Sequence, residues 1–138
     1  RLAEGVFDEQ DVIKRAHELA DFIVAAGKTY KQAKPIAVGF SNGANIAAAI
    51  LLLRPEVLDG AILLRAMVPL AKPPQADLAQ KPVLIISGTS DPIIPASNAA
   101  QLVAMLKNAH ADVQHETLPT GHNLTQNDVT LASKWLNR

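Results

Sequence analysis

An α/β fold built on a mostly parallel sheet is predicted by three features of the sequence. Short apolar runs of strand length alternate with longer segments of helical periodicity. The run PVLIIS at 82–87 shows no polar alternation until its last residue, the pattern of a strand covered on both faces. Two of the three connections between strands have the length and period of helices, which parallel neighbours require. A chain of 138 residues, 49% hydrophobic and 19% charged, suits one domain spanning 1–138 around a single core.

The elements follow in order. From Asp8, the apolar residues Val12, Ala16, Leu19, Ala20, Ile23 and Ala26 recur at helical spacing, with Lys14, Arg15, Glu18 and Asp21 elsewhere on the wheel. Asp8 is placed to cap this helix, Glu9 and Asp11 suit its positive end, and Gly27 with Lys28 suits its C-terminal end. Residues 35–40 predict a short strand, and residues 44–53, apolar all round and followed by Pro55, predict a helix; both are expected in the interior. Residues 61–66 form a second strand-like run, after which Pro69, Pro73 and Pro74 impose an irregular loop. The strand at 82–87 is followed by a helix at 95–107. A fourth strand at 113–118 is of mixed polarity and belongs near a sheet edge. The closing helix at 125–136 opens on Thr125 and Asp128, spaced as a capping box.

Thirteen basic residues balance thirteen acidic ones without a Lys/Arg cluster, so nothing draws the chain to nucleic acid or to an anionic membrane, and a small molecule is the expected partner. The apolar run at 44–53 is far shorter than the ~20 residues of a membrane-spanning helix. The absence of cysteine removes disulfides, Cys-based zinc sites and a thiol nucleophile, and fits a cytoplasmic setting.

In a parallel sheet the chemistry lies in loops beyond the carboxyl ends of the strands. Gly39-Phe40-Ser41-Asn42-Gly43 matches G-x-S-x-G and lies between a predicted strand and a predicted helix, which makes Ser41 the candidate nucleophile. The backbone N–H of Asn42, at the helix start, is placed to stabilise an oxyanion. A phosphate loop does not fit, because neither G-x-x-x-x-G-K-[ST] nor G-x-G-x-x-G is present.

A serine hydroxyl needs a positioned imidazole to take its proton, and the imidazole needs an anion to fix its tautomer. Asp91, in Gly-Thr-Ser-Asp-Pro after the third strand, and His122, in Pro-Thr-Gly-His-Asn after the fourth, supply both. The chain order Ser, Asp, His is that of α/β-hydrolases. His17, His110 and His115 are expected to be solvated or hydrogen-bonded, and Asp112, Glu116 and Asp128 to be surface charges or caps. No cluster has metal-ligand spacing, so neither metal nor cofactor is expected.

The segments VGFSNGANIAAAILLLRP, ISGTSDPIIP and LPTGH resemble the phospholipase/carboxylesterase family, α/β-hydrolases that include acyl-protein thioesterases and bacterial broad-specificity esterases. The resemblance runs from about Asp8 to the C-terminus. Asn42 stands where thioesterase members usually carry Gln, and Ala44-Asn45 replaces their second small pair, which points to the bacterial esterase branch. Ser41, Asp91 and His122 inherit the catalytic roles by this resemblance, with small carboxylic esters as substrates through an acyl-enzyme. Met67 and Ile93 are candidates for the acyl pocket. Family members carry further strands before the first helix, with a His-Gly type loop that gives a second oxyanion donor. The chain therefore corresponds to the C-terminal half of the fold, with about four strands. The strand at 35–40 is then expected to have one bare edge, open to a preceding segment or to a second copy. The alternative reading is a non-catalytic α/β-hydrolase-like module, or a fragment inactive without that segment.

Overall fold

The computed structural model describes residues 9–30 and 34–138, with side chains from Glu9 to Lys28 and from Lys34 onward. The order is α1 (Glu9–Tyr30), β1 (Ile36–Phe40), α2 (Asn42–Leu53), β2 (Gly60–Leu64), β3 (Pro82–Gly88), α3 (Ala96–Asn108), β4 (Asp112–Leu118) and α4 (Gln126–Leu136). The strands form one sheet in the order β1-β2-β3-β4, every pair parallel. The connection from β2 to β3 is the proline-rich loop, and the other two carry α2 and α3.

Strand alternation sends side chains to two apolar layers. Ala61, Leu63, Val83 and Ile85 pack with Val12, Ala16 and Ala20 of α1, Ala44 and Ala48 of α2, and Leu102 and Leu106 of α3. Ile62, Leu64, Leu84 and Ile86 face the opposite way, onto Trp135 of α4 with Leu131 and Ala132 beside it. The two central strands are buried on both faces, which explains their unbroken apolar runs; each fully buried Leu or Ile contributes about 1.5–3 kcal/mol.

Three expectations change. The strand at 35–40 is not interior throughout. Among the described residues β1 pairs only with β2, and Val38, aligned with Ile62, is 62% exposed, outside the apolar layer that Ile62 forms with Trp135 of α4. Ala37, on the other face, packs against the larger apolar layer as expected. Gly27 does not end α1, which continues to Tyr30; a helix tolerates an internal glycine at about 1 kcal/mol when its face is packed, here against α2. The second strand stops at Leu64, because Arg65 takes a left-handed backbone (φ 57°) that no strand continues through. The cap assigned to Asp8 lies outside the described residues.

At α4 the sequence reading holds. Thr125 accepts from the Asp128 N–H at 3.3 Å, and the Asp128 carboxylate accepts from the Thr125 N–H at 2.8 Å, completing the capping box. No helix of the described residues is long and apolar enough to cross a membrane.

Candidate active site

Ser41 is the whole turn between β1 and α2, with φ 58° and ψ −117°, a conformation that costs a non-glycine residue about 1–3 kcal/mol. The strain is held from both sides. The Ser41 N–H donates to the Leu64 carbonyl at 2.8 Å, and its own carbonyl accepts from the Asn45 N–H at 3.0 Å. Gly39 makes the turn sterically possible, because a Cβ there would lie 2.6 Å from the Gly43 carbonyl oxygen and 2.7 Å from the Ala44 nitrogen. Gly43 differs: a Cβ there would meet nothing within 4 Å among the described residues. Asn42 opens α2, so its N–H is one of the donors that a helix start leaves uncommitted.

The loops after β3 and β4 are knitted together. The Thr89 N–H donates to the Leu118 carbonyl at 2.9 Å, and the Ser90 N–H to the Thr120 carbonyl at 3.0 Å. Gly88 permits this, since a Cβ on it would come within 2.3 Å of the Gly121 carbonyl oxygen. Asp91 and His122 are thereby brought face to face. The His122 Nδ1–H donates to Asp91 Oδ2 at 2.8 Å, which leaves the Nε2 lone pair directed at Ser41 Oγ, 2.9 Å away. Asp91 Oδ1 accepts from the N–H groups of Ile93 (2.8 Å) and Ile94 (3.1 Å). The Phe40 ring flanks the imidazole, with centroids 5.4 Å apart.

Burial pushes the Asp91 carboxyl up, but the hydrogen bonds from His122, Ile93 and Ile94 outweigh it and hold the group below the usual carboxylate range. Asp128 behaves alike: burial raises it, while hydrogen bonds from Arg65 and Thr125 bring it below that range. Between those lowered values and the ordinary value near ~4, the unfolded chain binds protons that the native state does not, so stability rises with pH there. The contribution is complete above about pH 4 and is lost as pH falls through the folded-state values. Thermal unfolding followed by circular dichroism is expected to show a Tm falling steeply below about pH 4, with a shallower acid limb in Asp128→Asn. Equal slopes would assign the limb to other groups.

Sequence reasoning missed Arg65. Its side chain and that of Asp128 are 0% and 1% exposed, and they form a two-pronged ion pair with both contacts at 2.8 Å. Asp128 was expected to be a surface charge or a cap; it caps α4 but lies buried, because a guanidinium reaches it from the end of β2. The available signal was a lone arginine inside the apolar run ILLRAM, a burial that demands a partner. A second pair of side chains, also not anticipated, holds the segment after β2. Asn45 of α2 accepts from the Met67 N–H at 2.7 Å, and Asn98 of α3 accepts from the Val68 N–H at 2.8 Å.

Met67 and Ile93 are both half-buried and lie in the loops after β2 and after β3. The cavity of about 100 Å³ beside Asp91 is lined by Arg65, Ala66, Ser87, Ile94 and His115 among others, and not by Met67 or Ile93. His115 bonds Ser87 Oγ through Nε2 at 3.0 Å, and burial pushes its pKa down; His110 lies 3.3 Å from Asp77. Among the described residues no three His, Cys, Asp or Glu side chains are grouped to hold a metal ion.

A parallel sheet with a serine on a strained strand-to-helix turn, joined by hydrogen bonds through His122 to Asp91 at its carboxyl edge, places the chain in the α/β-hydrolase class. Within that class it belongs to the phospholipase/carboxylesterase family, whose model matches residues 3–138. It is similar to the crystal structure of the Bacillus cereus carboxylesterase, with 43% identity, a TM-score of 0.94, and 99% of this chain covering 66% of that one. The carboxylesterase from Mesorhizobium loti superposes with a TM-score of 0.92 at 29% identity, over 99% of this chain and 66% of that one. The Bacillus subtilis protein MhqD is 42% identical over 137 residues, 98% of this chain and 68% of the relative. The chain thus spans about two thirds of the length of these proteins.

Proposed function

We propose that the chain carries the catalytic residues of a serine carboxylesterase acting on small carboxylic esters in a cytoplasmic setting. The observation that carries this reading is the unbroken line of hydrogen bonds from Ser41 Oγ through the His122 imidazole to Asp91, at 2.9 and 2.8 Å. Ser41 Oγ attacks the ester carbonyl carbon as its proton passes to His122 Nε2, and Asp91 stabilises the imidazolium. The Asn42 N–H accommodates the oxyanion, a contribution of about 3 kcal/mol for a donor of this kind. Collapse of the tetrahedral intermediate expels the alcohol, which takes the proton from His122. Water, deprotonated by His122, then attacks the acyl-serine, and as this second tetrahedral intermediate collapses Ser41 Oγ takes the proton back from His122 and the acid is released. Met67 and Ile93, in the loops after β2 and β3, are proposed to contact the acyl group. No cofactor enters this scheme.

The test is hydrolysis of p-nitrophenyl acetate and butyrate, together with labelling by a fluorophosphonate probe, for the chain and its Ser41→Ala variant. Activity and labelling that both vanish with Ser41 are the expected result. A folded chain that neither turns over ester nor labels would favour the inactive-module reading, in which the second oxyanion donor of the family is indispensable.

A further inference from the structure

We propose that Arg65 is a positioning residue for His122, an inference that rests on the esterase reading for its kinetic consequence. A guanidinium has five N–H donors, and Arg65 uses all of them. Nε donates to the Gly121 carbonyl at 3.1 Å and Nη2 to the Asn123 carbonyl at 3.1 Å, so one rigid group grips the backbone on both sides of His122. Nη1 donates to the Ile86 carbonyl at 3.4 Å, at the end of β3. The two remaining N–H groups go to Asp128, whose Oδ2 is also held by the Thr125 N–H and hydroxyl at 2.8 and 2.9 Å. The guanidinium is thus locked to the start of α4, and no donor is left to turn elsewhere.

The topology explains what such a grip is for. Ser41 leaves β1 and His122 follows β4, the two edges of the four-stranded sheet, with β2 and β3 between them. At about 4.8 Å per strand those edges lie roughly 14 Å apart, yet Oγ and Nε2 meet at 2.9 Å. The loop bearing His122 therefore has to be drawn back across the top of β3 towards β1. Arg65 leaves the end of β2 in a left-handed conformation (φ 57°) and reaches over β3 to both carbonyls flanking the histidine. Lysine, a single ammonium with three donors and no planar fork, cannot serve three carbonyls and both oxygens of a carboxylate at once.

The experiment compares Arg65→Lys and Asp128→Asn with the parent, each verified as folded by circular dichroism at the assay temperature. Arg65→Lys is expected to lower kcat for p-nitrophenyl butyrate about 100-fold, the cost of displacing a reacting group by roughly 1 Å, with KM within about 2-fold of the parent. Asp128→Asn keeps the carbonyl contacts but loosens the guanidinium, and is expected to lower kcat by about 10-fold with the same unchanged KM. The downfield proton resonance of the His122 Nδ1–H, a readout of the bond to Asp91 that needs no turnover, is expected in the parent and broadened or lost in Arg65→Lys. A folded Arg65→Lys with kcat within about 3-fold of the parent and an intact resonance would overturn the proposal; should that variant not hold the fold, Asp128→Asn carries the same criterion. A parent that neither hydrolyses ester nor labels at Ser41 would instead sink the esterase reading, and the resonance alone would then decide the positioning.

Discussion

Asp91→Asn is expected to lower kcat by about four orders of magnitude while leaving fold and KM close to those of the parent. The size follows from what each carboxylate oxygen does. Oδ1 accepts two backbone N–H groups, from Ile93 and Ile94, so the carbonyl oxygen of an asparagine will be retained there. Its NH₂ then faces His122 Nδ1 where a carboxylate oxygen stood. A donor at that position forces the imidazole proton onto Nε2, and the nitrogen facing Ser41 can no longer accept the hydroxyl proton. The shape of the site survives, and its ability to take a proton does not. The measurement is kcat and KM for p-nitrophenyl butyrate, with thermal unfolding as a control. A folded variant that retains more than about 1% of kcat would remove Asp91 from the proposed role of orienting acid.

Gly39→Ala is expected to destabilise the chain by about 3 kcal/mol and to abolish the elbow, whereas Gly43→Ala is expected to stay within about 0.5 kcal/mol of the parent. Both glycines flank the same serine. The atoms that a Cβ on Gly39 would strike, the Gly43 carbonyl and the Ala44 nitrogen, are backbone, and backbone has no rotamer by which to move aside. Relief requires α2 to lift from β1, and that movement carries Ser41 out of reach of His122. Around Gly43 the described residues leave the space open, and a methyl group in the first turn of a helix is favourable. Melting curves are expected to place Gly39→Ala about 10 °C below Gly43→Ala. A difference under about 2 °C would show that the packing of β1 against α2 is looser than described.

The elements were readable because their signals are local. An apolar run bounded by glycine or proline sits on a few consecutive residues, and the strand at 82–87 and the capping box of Thr125 and Asp128 were legible for that reason. The three site residues could be proposed because a serine hydrolase of this fold needs them beyond the carboxyl ends of strands, and the structure brings Ser41 after β1, Asp91 after β3 and His122 after β4 within hydrogen-bond reach there. What was hidden depends on which segments become neighbours. Val38 belongs to an apolar strand, and its exposure follows only from the position of β1 at the edge of the described sheet, outside the layer around Trp135. Arg65 and Asp128 are 63 residues apart: the arginine stands out in its apolar run, but Asp128 by itself resembles an ordinary cap residue, so the sequence does not name the partner. Gly39 and Gly43 are the same letter in one motif, and only the approach of α2 to β1 separates their duties.

The loops that meet at Ser41 also set the order in which the molecule can mature. Its defining hydrogen bonds join residues 81 and 31 positions apart, and the Arg65 contacts span 21 to 63. None of them can close before all four strands have found their parallel register, a slow step because long chain segments must be ordered before the contacts that reward it exist. The helices, by contrast, draw on contacts within a few residues and form early. During refolding, helical signal is therefore expected to return before the hydrogen bonds from Ser41 to His122 and Asp91 close. A chain in which those hydrogen bonds have closed is one whose four described strands have found their register.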